Sequence, residues 1–148
     1  MLESLVHPDL LPFERPFVLA HEWAHLAGEA DEAEASTVGW FACMQGPPQA
    51  AYSASLYLIM EGAAALPPQA RRRVATSLDA GVREDINAIA KRAAETEKPH
   101  VQYAASKVYD NYLKANRVAD GSASYSRALS LILSPRVIEA LTTYRQRQ

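Results

Sequence analysis

His21-Glu22-Trp23-Ala24-His25, followed by Gly28 and by Asp31-Glu32-Ala33-Glu34, is the stretch on which the reading of this chain turns. Residues four apart on a helix project from one face, so the two imidazoles can converge on one cation while Glu22 reaches the space beside it. Two histidines enclosing a glutamate in the pattern HExxH are the working parts of a zinc hydrolase. The apolar run Pro16-Phe17-Val18-Leu19-Ala20 ahead of them would bury this helix and shelter the histidines. Gly28 is the residue expected where a helix stops in a left-handed conformation and lets the chain turn back toward the metal. Carboxylates arrive directly after that turn, in time to complete a site of three protein ligands with water in the fourth position.

Spacing narrows the third ligand to two residues. Asp31 stands where the pattern HExxHxxGxxH places its last ligand. Glu32 is the better candidate, because in a second helix it shares a face with Ser36, which would give the ligand a hydroxyl neighbour. Glu34 would point about 200° away from Glu32 and is expected to form a salt bridge or face solvent.

Read as HEWAHLAGEADEAEAS, His21 to Ser36 resembles the helix-turn-helix of Glu-liganded HExxH metalloproteases. More narrowly, it is similar to the uncharacterised bacterial family called domain of unknown function 3810. The likeness continues through Val38–Met44 and Tyr52-Ser53, and returns in Val108–Asn116, Asp120-Gly121 and Ser124-Tyr125-Ser126-Arg127. The resemblance implies a zinc peptidase-like domain that binds one Zn2+ ion and acts on a peptide or protein substrate. Relatives usually carry amino-terminal membrane helices, so membrane anchoring is expected only through a segment absent from this chain. There are two departures. Ser36 stands where relatives tend to have Asn, and the region before the motif, which in better-known zinc peptidases supplies a small substrate-binding sheet, is short here.

The 148 residues suit one domain, 1–148, with an irregular lead-in over 1–15. A 49% hydrophobic, 22% charged composition fits a globular chain, and a net charge of −2 implies no strongly basic face, so no nucleic-acid partner is expected. Cys43, the lone cysteine, reads as a buried, inert thiol. Charges and prolines occupy Met1 to Pro16 where a signal peptide would need an apolar stretch. The longest apolar run, Ala50 to Leu66, is interrupted by Glu61 and Gly62 and is too short to span a bilayer. Oligomeric state and compartment are not legible from these totals.

Strand-type alternation appears nowhere at length, so the fold class is mainly α: a single helical bundle around the HExxH helix, with little or no β-sheet. A first helix is expected from about Pro16 to Ala27, and a second, capped by Asp31, to about Gln45. The third, Gln49 to Leu66, shows Tyr52, Leu56, Ile59 and Ala63 at helical spacing as its core face. Pro67-Pro68 opens a long fourth helix to about Glu97. Its apolar stripe is Val74, Leu78, Val82, Ile86 and Ile89 or Ala90, with Arg71, Arg72, Arg73, Arg83, Lys91 and Arg92 on a solvated face. His100 to Asn116 makes a fifth, with Tyr103, Tyr109 and Tyr112 as core or rim residues. Ala123 to Leu133 forms a sixth after the Asp120-Gly121-Ser122 turn, and a last helix follows Pro135.

Zinc held by His21, His25 and Glu32 would activate a water, and Glu22 would act as general base on it during attack on an amide carbonyl. An oxyanion donor is also needed, for which Tyr109, Tyr125, Arg127 and His100 are available; Tyr125 is the choice because it follows the Asp120-Gly121 turn. Trp23 and Trp40 are expected to be packing residues rather than substrate platforms. The competing functions are a zinc-braced, non-catalytic protein-interaction domain and a helical interaction domain without metal.

Overall fold

Among the described residues, proline falls in the first turn of four helices, where its missing N–H would have no helical partner and its fixed φ already suits the helix. They are α1 (Arg15–Leu26), α3 (Pro48–Ala64), α4 (Pro68–Ser77) and α7 (Pro135–Gln146). Between them lie α2 (Glu32–Met44), α5 (Ala80–Thr96) and α6 (Gly121–Ile132). This computed structural model describes residues 8–96 and 121–147, and among these residues there is no strand. The mainly α class expected from the sequence is therefore observed. None of the described helices is long and apolar enough to cross a membrane.

The bundle is arranged around α2, which packs against α1, α3, α6 and α7. A helix enclosed on several sides needs small residues where its neighbours come close. Accordingly α2 buries Ala33, Ala35, Ser36 and Gly39 along with Trp40 and Cys43. The core joins Phe17, Trp40, Cys43, Ala54, Ile132 and Leu141, so that α1, α2, α3, α6 and α7 all contribute to it. Cys43 is buried as expected, its thiol turned toward the Pro16 carbonyl.

Ser53 secures the start of α1. It is 2% exposed, accepts the Phe17 N–H at 3.1 Å and donates to the Glu14 carbonyl at 3.2 Å. The first N–H groups of a helix have no partner within it, and here a side chain from α3 satisfies one of them. Ser53→Ala strands that donor in the interior, and a loss of about 1–3 kcal/mol is expected. Urea denaturation checks this as a lower midpoint at an unchanged slope.

Several sequence expectations need correction. The long fourth helix is two helices, α4 and α5, separated at Leu78, which is extended (ψ 148°). The hydroxyls of Thr76 and Ser77 bond back to the Arg73 and Val74 carbonyls, and the Asp79 carbonyl accepts the first bond of α5 from the Arg83 N–H. The apolar stripe runs in phase across the break, so periodicity did not reveal it; Ser77 and Asp79 are the residues that mark it. On α3 the buried face is Ser53, Ala54 and Leu56, and Tyr57 stacks on Phe17 at 4.0 Å. Tyr52 donates instead to Asp85 on α5 at 2.6 Å, which pushes its pKa up to about 12.

The basic face is also less idle than its spacing suggested. Arg71 donates to the Ala63, Ala64 and Leu66 carbonyls at the end of α3, and Arg83 to the Leu78 carbonyl. Arg92 makes a two-pronged pair with the Glu14 carboxylate, at 2.8 and 2.9 Å, just ahead of α1. The helix expected over His100 to Asn116 lies outside the described residues. The helix α6 starts at Gly121, so Gly121 and Ser122 belong to its first turn.

Candidate metal centre

The geometry begins with the way α1 ends. Gly28 adopts φ 114°, its N–H reaches the His25 carbonyl at 3.0 Å, and the Glu29 N–H reaches the Ala24 carbonyl at 3.1 Å. This pair of bonds is a Schellman ending, and its left-handed residue costs a side chain about 1–2 kcal/mol that glycine does not incur. The turn brings the Glu29 carbonyl to 2.6 Å from His25 Nδ1. A carbonyl only accepts, so Nδ1 carries a proton, and in the neutral ring the lone pair is then on Nε2.

His21 is held the same way from the other side. Its Nδ1 lies 3.2 Å from Ser36 Oγ on α2, a hydroxyl that can accept the Nδ1 proton and leave Nε2 bare. Ser36 was expected beside Glu32. It meets His21 instead, because the face of α2 that carries it is pressed against α1. Burial, and then the neighbouring His25, lower the His21 pKa against the opposing charges of Glu32 and Glu22. With its folded pKa below the ordinary 6.5, His21 supports the fold fully above that pH, and the support fades as pH falls through the folded value.

Three donor atoms meet at one point. His21 Nε2 and His25 Nε2 are 3.1 Å apart, and Glu32 Oε2 lies 3.4 Å from the first and 3.5 Å from the second. Ligands about 2.0–2.1 Å from a tetrahedral centre are separated by roughly 3.3–3.4 Å, so these three could form one face of such a polyhedron. Side-chain exposure rises from 17% at His21 through 26% at His25 to 46% at Glu32, so the triangle opens to solvent on the Glu32 side.

Asp31 is turned to another task. Its Oδ1 accepts the Ala33 and Glu34 N–H groups at 3.0 Å each, capping α2, and its Oδ2 pairs with Arg127. Slight burial raises its pKa, but the bonds from the Glu34 N–H and Arg127 outweigh this and hold it below the ordinary value. Glu34 pairs with Arg127 at 3.1 Å, the salt bridge expected of it. Arg127, a candidate oxyanion donor, is therefore engaged by Asp31 and Glu34. Glu22 is half-buried and close enough to His21 to act on its charge, and its carboxylate is hydrogen-bonded to nothing among the described residues.

Tyr125 lies on α6, but its side chain is outside the described set, as are Tyr109 and His100 altogether. Trp40 is buried as expected, whereas Trp23 is 61% exposed. Helical geometry places Trp23 about 160–200° around α1 from the two histidines, on the outer side of the helix. Two contributors escaped the sequence reading. The Glu29 carbonyl acts through main chain, so its side-chain type carried no signal, although a glycine at the helix end does imply a returning chain. Gly39, alone inside a helical pattern, was a legible sign of close approach. A β-carbon there would sit 2.9 Å from the His21 backbone nitrogen.

Comparison with known sequences finds one family, described as a protein of unknown function (DUF3810), which matches residues 1–133. No curated protein and no solved structure matches the chain.

Proposed function

The chain belongs to the family described as a protein of unknown function (DUF3810), and from that starting point we propose that it is a zinc-dependent peptidase in which His21, His25 and Glu32 hold the ion and Glu22 moves the proton. One observation carries this reading. Two imidazole nitrogens and a carboxylate oxygen converge within 3.5 Å, and the Glu29 carbonyl commits the His25 proton to the opposite side of its ring. With both rings neutral and Nε2 unprotonated, three lone pairs in such proximity repel unless a cation lies among them, and two imidazoles with one carboxylate suit zinc.

When bound, zinc supplies a Lewis acid with an open corner, polarising a carbonyl and bringing the pKa of a water to about 7. The residues of the chain do the rest. Glu22 takes a proton from the attacking water and returns it to the departing amine nitrogen. Ser36 and the Glu29 carbonyl orient the two imidazoles with Nε2 toward the Glu32 carboxylate. Substrate enters on the exposed Glu32 side. Tyr125 is the donor assigned to the oxyanion, on the ground that α6 packs directly on α2.

A non-catalytic reading has one observation in its favour, that the three donors come from both α1 and α2, so that an ion would brace the turn between them. Elemental analysis of protein purified without chelator should give one zinc per chain, lost in His21→Ala and in His25→Ala. A chain without stoichiometric metal overturns both zinc readings. Bound zinc with no cleavage across a broad peptide library favours the brace.

A further inference from the structure

Glu32 is the first residue of α2 and 46% exposed, a place where a helix end frays unless something holds it. The residues around it are held by one side chain. Arg127, which is 96 positions away from Asp31 and enters on α6, sends Nη1 to Asp31 Oδ2 and Nη2 to Glu34 Oε1. The other oxygen of Asp31 is fully engaged by the first N–H groups of α2. We infer that Arg127 is a positioning residue for the third metal ligand: its planar fork fixes the first turn of α2 so that Glu32 alone faces the imidazoles. This inference rests on the zinc reading above.

The chemistry favours a geometric role over a stabilising one. The side chains of Arg127, Asp31 and Glu34 are 51%, 38% and 50% exposed, and ion pairs this open to water add little to folding. Yet a guanidinium gripping two carboxylates in one plane sets direction as well as distance, which a lysine ammonium does not. Removing the fork should therefore be felt at the metal far more than in the fold.

Zinc competition against a chromophoric chelator, alongside thermal unfolding of the metal-free protein, tests this on the full chain. Arg127→Gln and Arg127→Lys should each weaken zinc by about tenfold, the scale of losses when a ligand's supporting contacts are removed. The metal-free unfolding temperature should hardly move. Lysine keeps the charge, so its failure to rescue separates position from field. Asp31→Asn, which still caps a helix, should show the same loss, and Asp31→Asn with Arg127→Gln should lose no more than either alone. Wild-type affinity in both Arg127 variants, or losses that multiply in the pair, overturns the inference while leaving the zinc reading intact. A wild-type chain that binds no zinc overturns the zinc reading and this inference together.

Discussion

If the proposed peptidase reading holds, Glu22→Gln should lower peptide hydrolysis by about 10²–10⁴-fold, the usual contribution of a positioned general base, and should leave the metal content at the wild-type one zinc per chain. The reason is in the placement. Glu22 stands outside the triangle formed by His21, His25 and Glu32, so replacing it does not subtract a ligand. Its carboxylate forms no hydrogen bond among the described residues, so glutamine of equal size displaces no partner there. What is lost is the capacity to take a proton. An interaction made only in the transition state lowers kcat and kcat/KM together, so KM should stay near its wild-type value. A variant that keeps wild-type turnover would remove Glu22 from the mechanism; one that loses zinc as well would place it among the ligands.

The second large effect separates two helical glycines by sign. At Gly39 a β-carbon would lie 2.9 Å from His21 N, 3.1 Å from the Ala20 carbonyl carbon and 3.1 Å from His21 Cα. All three are backbone atoms, which cannot rotate aside. Alanine gains up to about 1 kcal/mol in helix propensity, but overpacking a tight contact costs about 1–3 kcal/mol, and the upper end applies when backbone meets backbone. Gly39→Ala should therefore lose about 1–2 kcal/mol net, and Gly39→Val considerably more. At Gly62, in α3, the same β-carbon meets nothing within 4 Å, so Gly62→Ala should gain about 0.5–1 kcal/mol. Chemical denaturation of the pair reads both. Zinc affinity should fall with Gly39→Ala and not with Gly62→Ala, because the displaced segment is the one that carries His21. Equal stability changes at the two sites would mean that α1 and α2 do not depend on that close approach.

Local chemistry made much of this legible. His21 and His25 share a face because any α-helix turns about 100° per residue. Asp31 caps, Gly28 turns and the prolines start helices through forces that reach only a few residues along the chain. The capping role of Asp31 was legible by the same local rules, and its Oδ1 does point at the first N–H groups of its own helix. The break at Leu78 was missed because two helices can share one apolar phase.

Taken alone, then, the sequence determined the helical class, the pairing of the two histidines, the turn after them and the pair of acids from which a third donor would come. Only the tertiary structure decided that Ser36 meets His21 and not Glu32, that Arg127 reaches back to Asp31 and Glu34, that Trp23 lies outside and that Gly39 touches the backbone of α1. The division has a physical cause. Helix periodicity, capping and turn chemistry act over one or two turns of a single element, whereas these contacts depend on how α1, α2 and α6 lie against one another, which is set by the packing of the whole core.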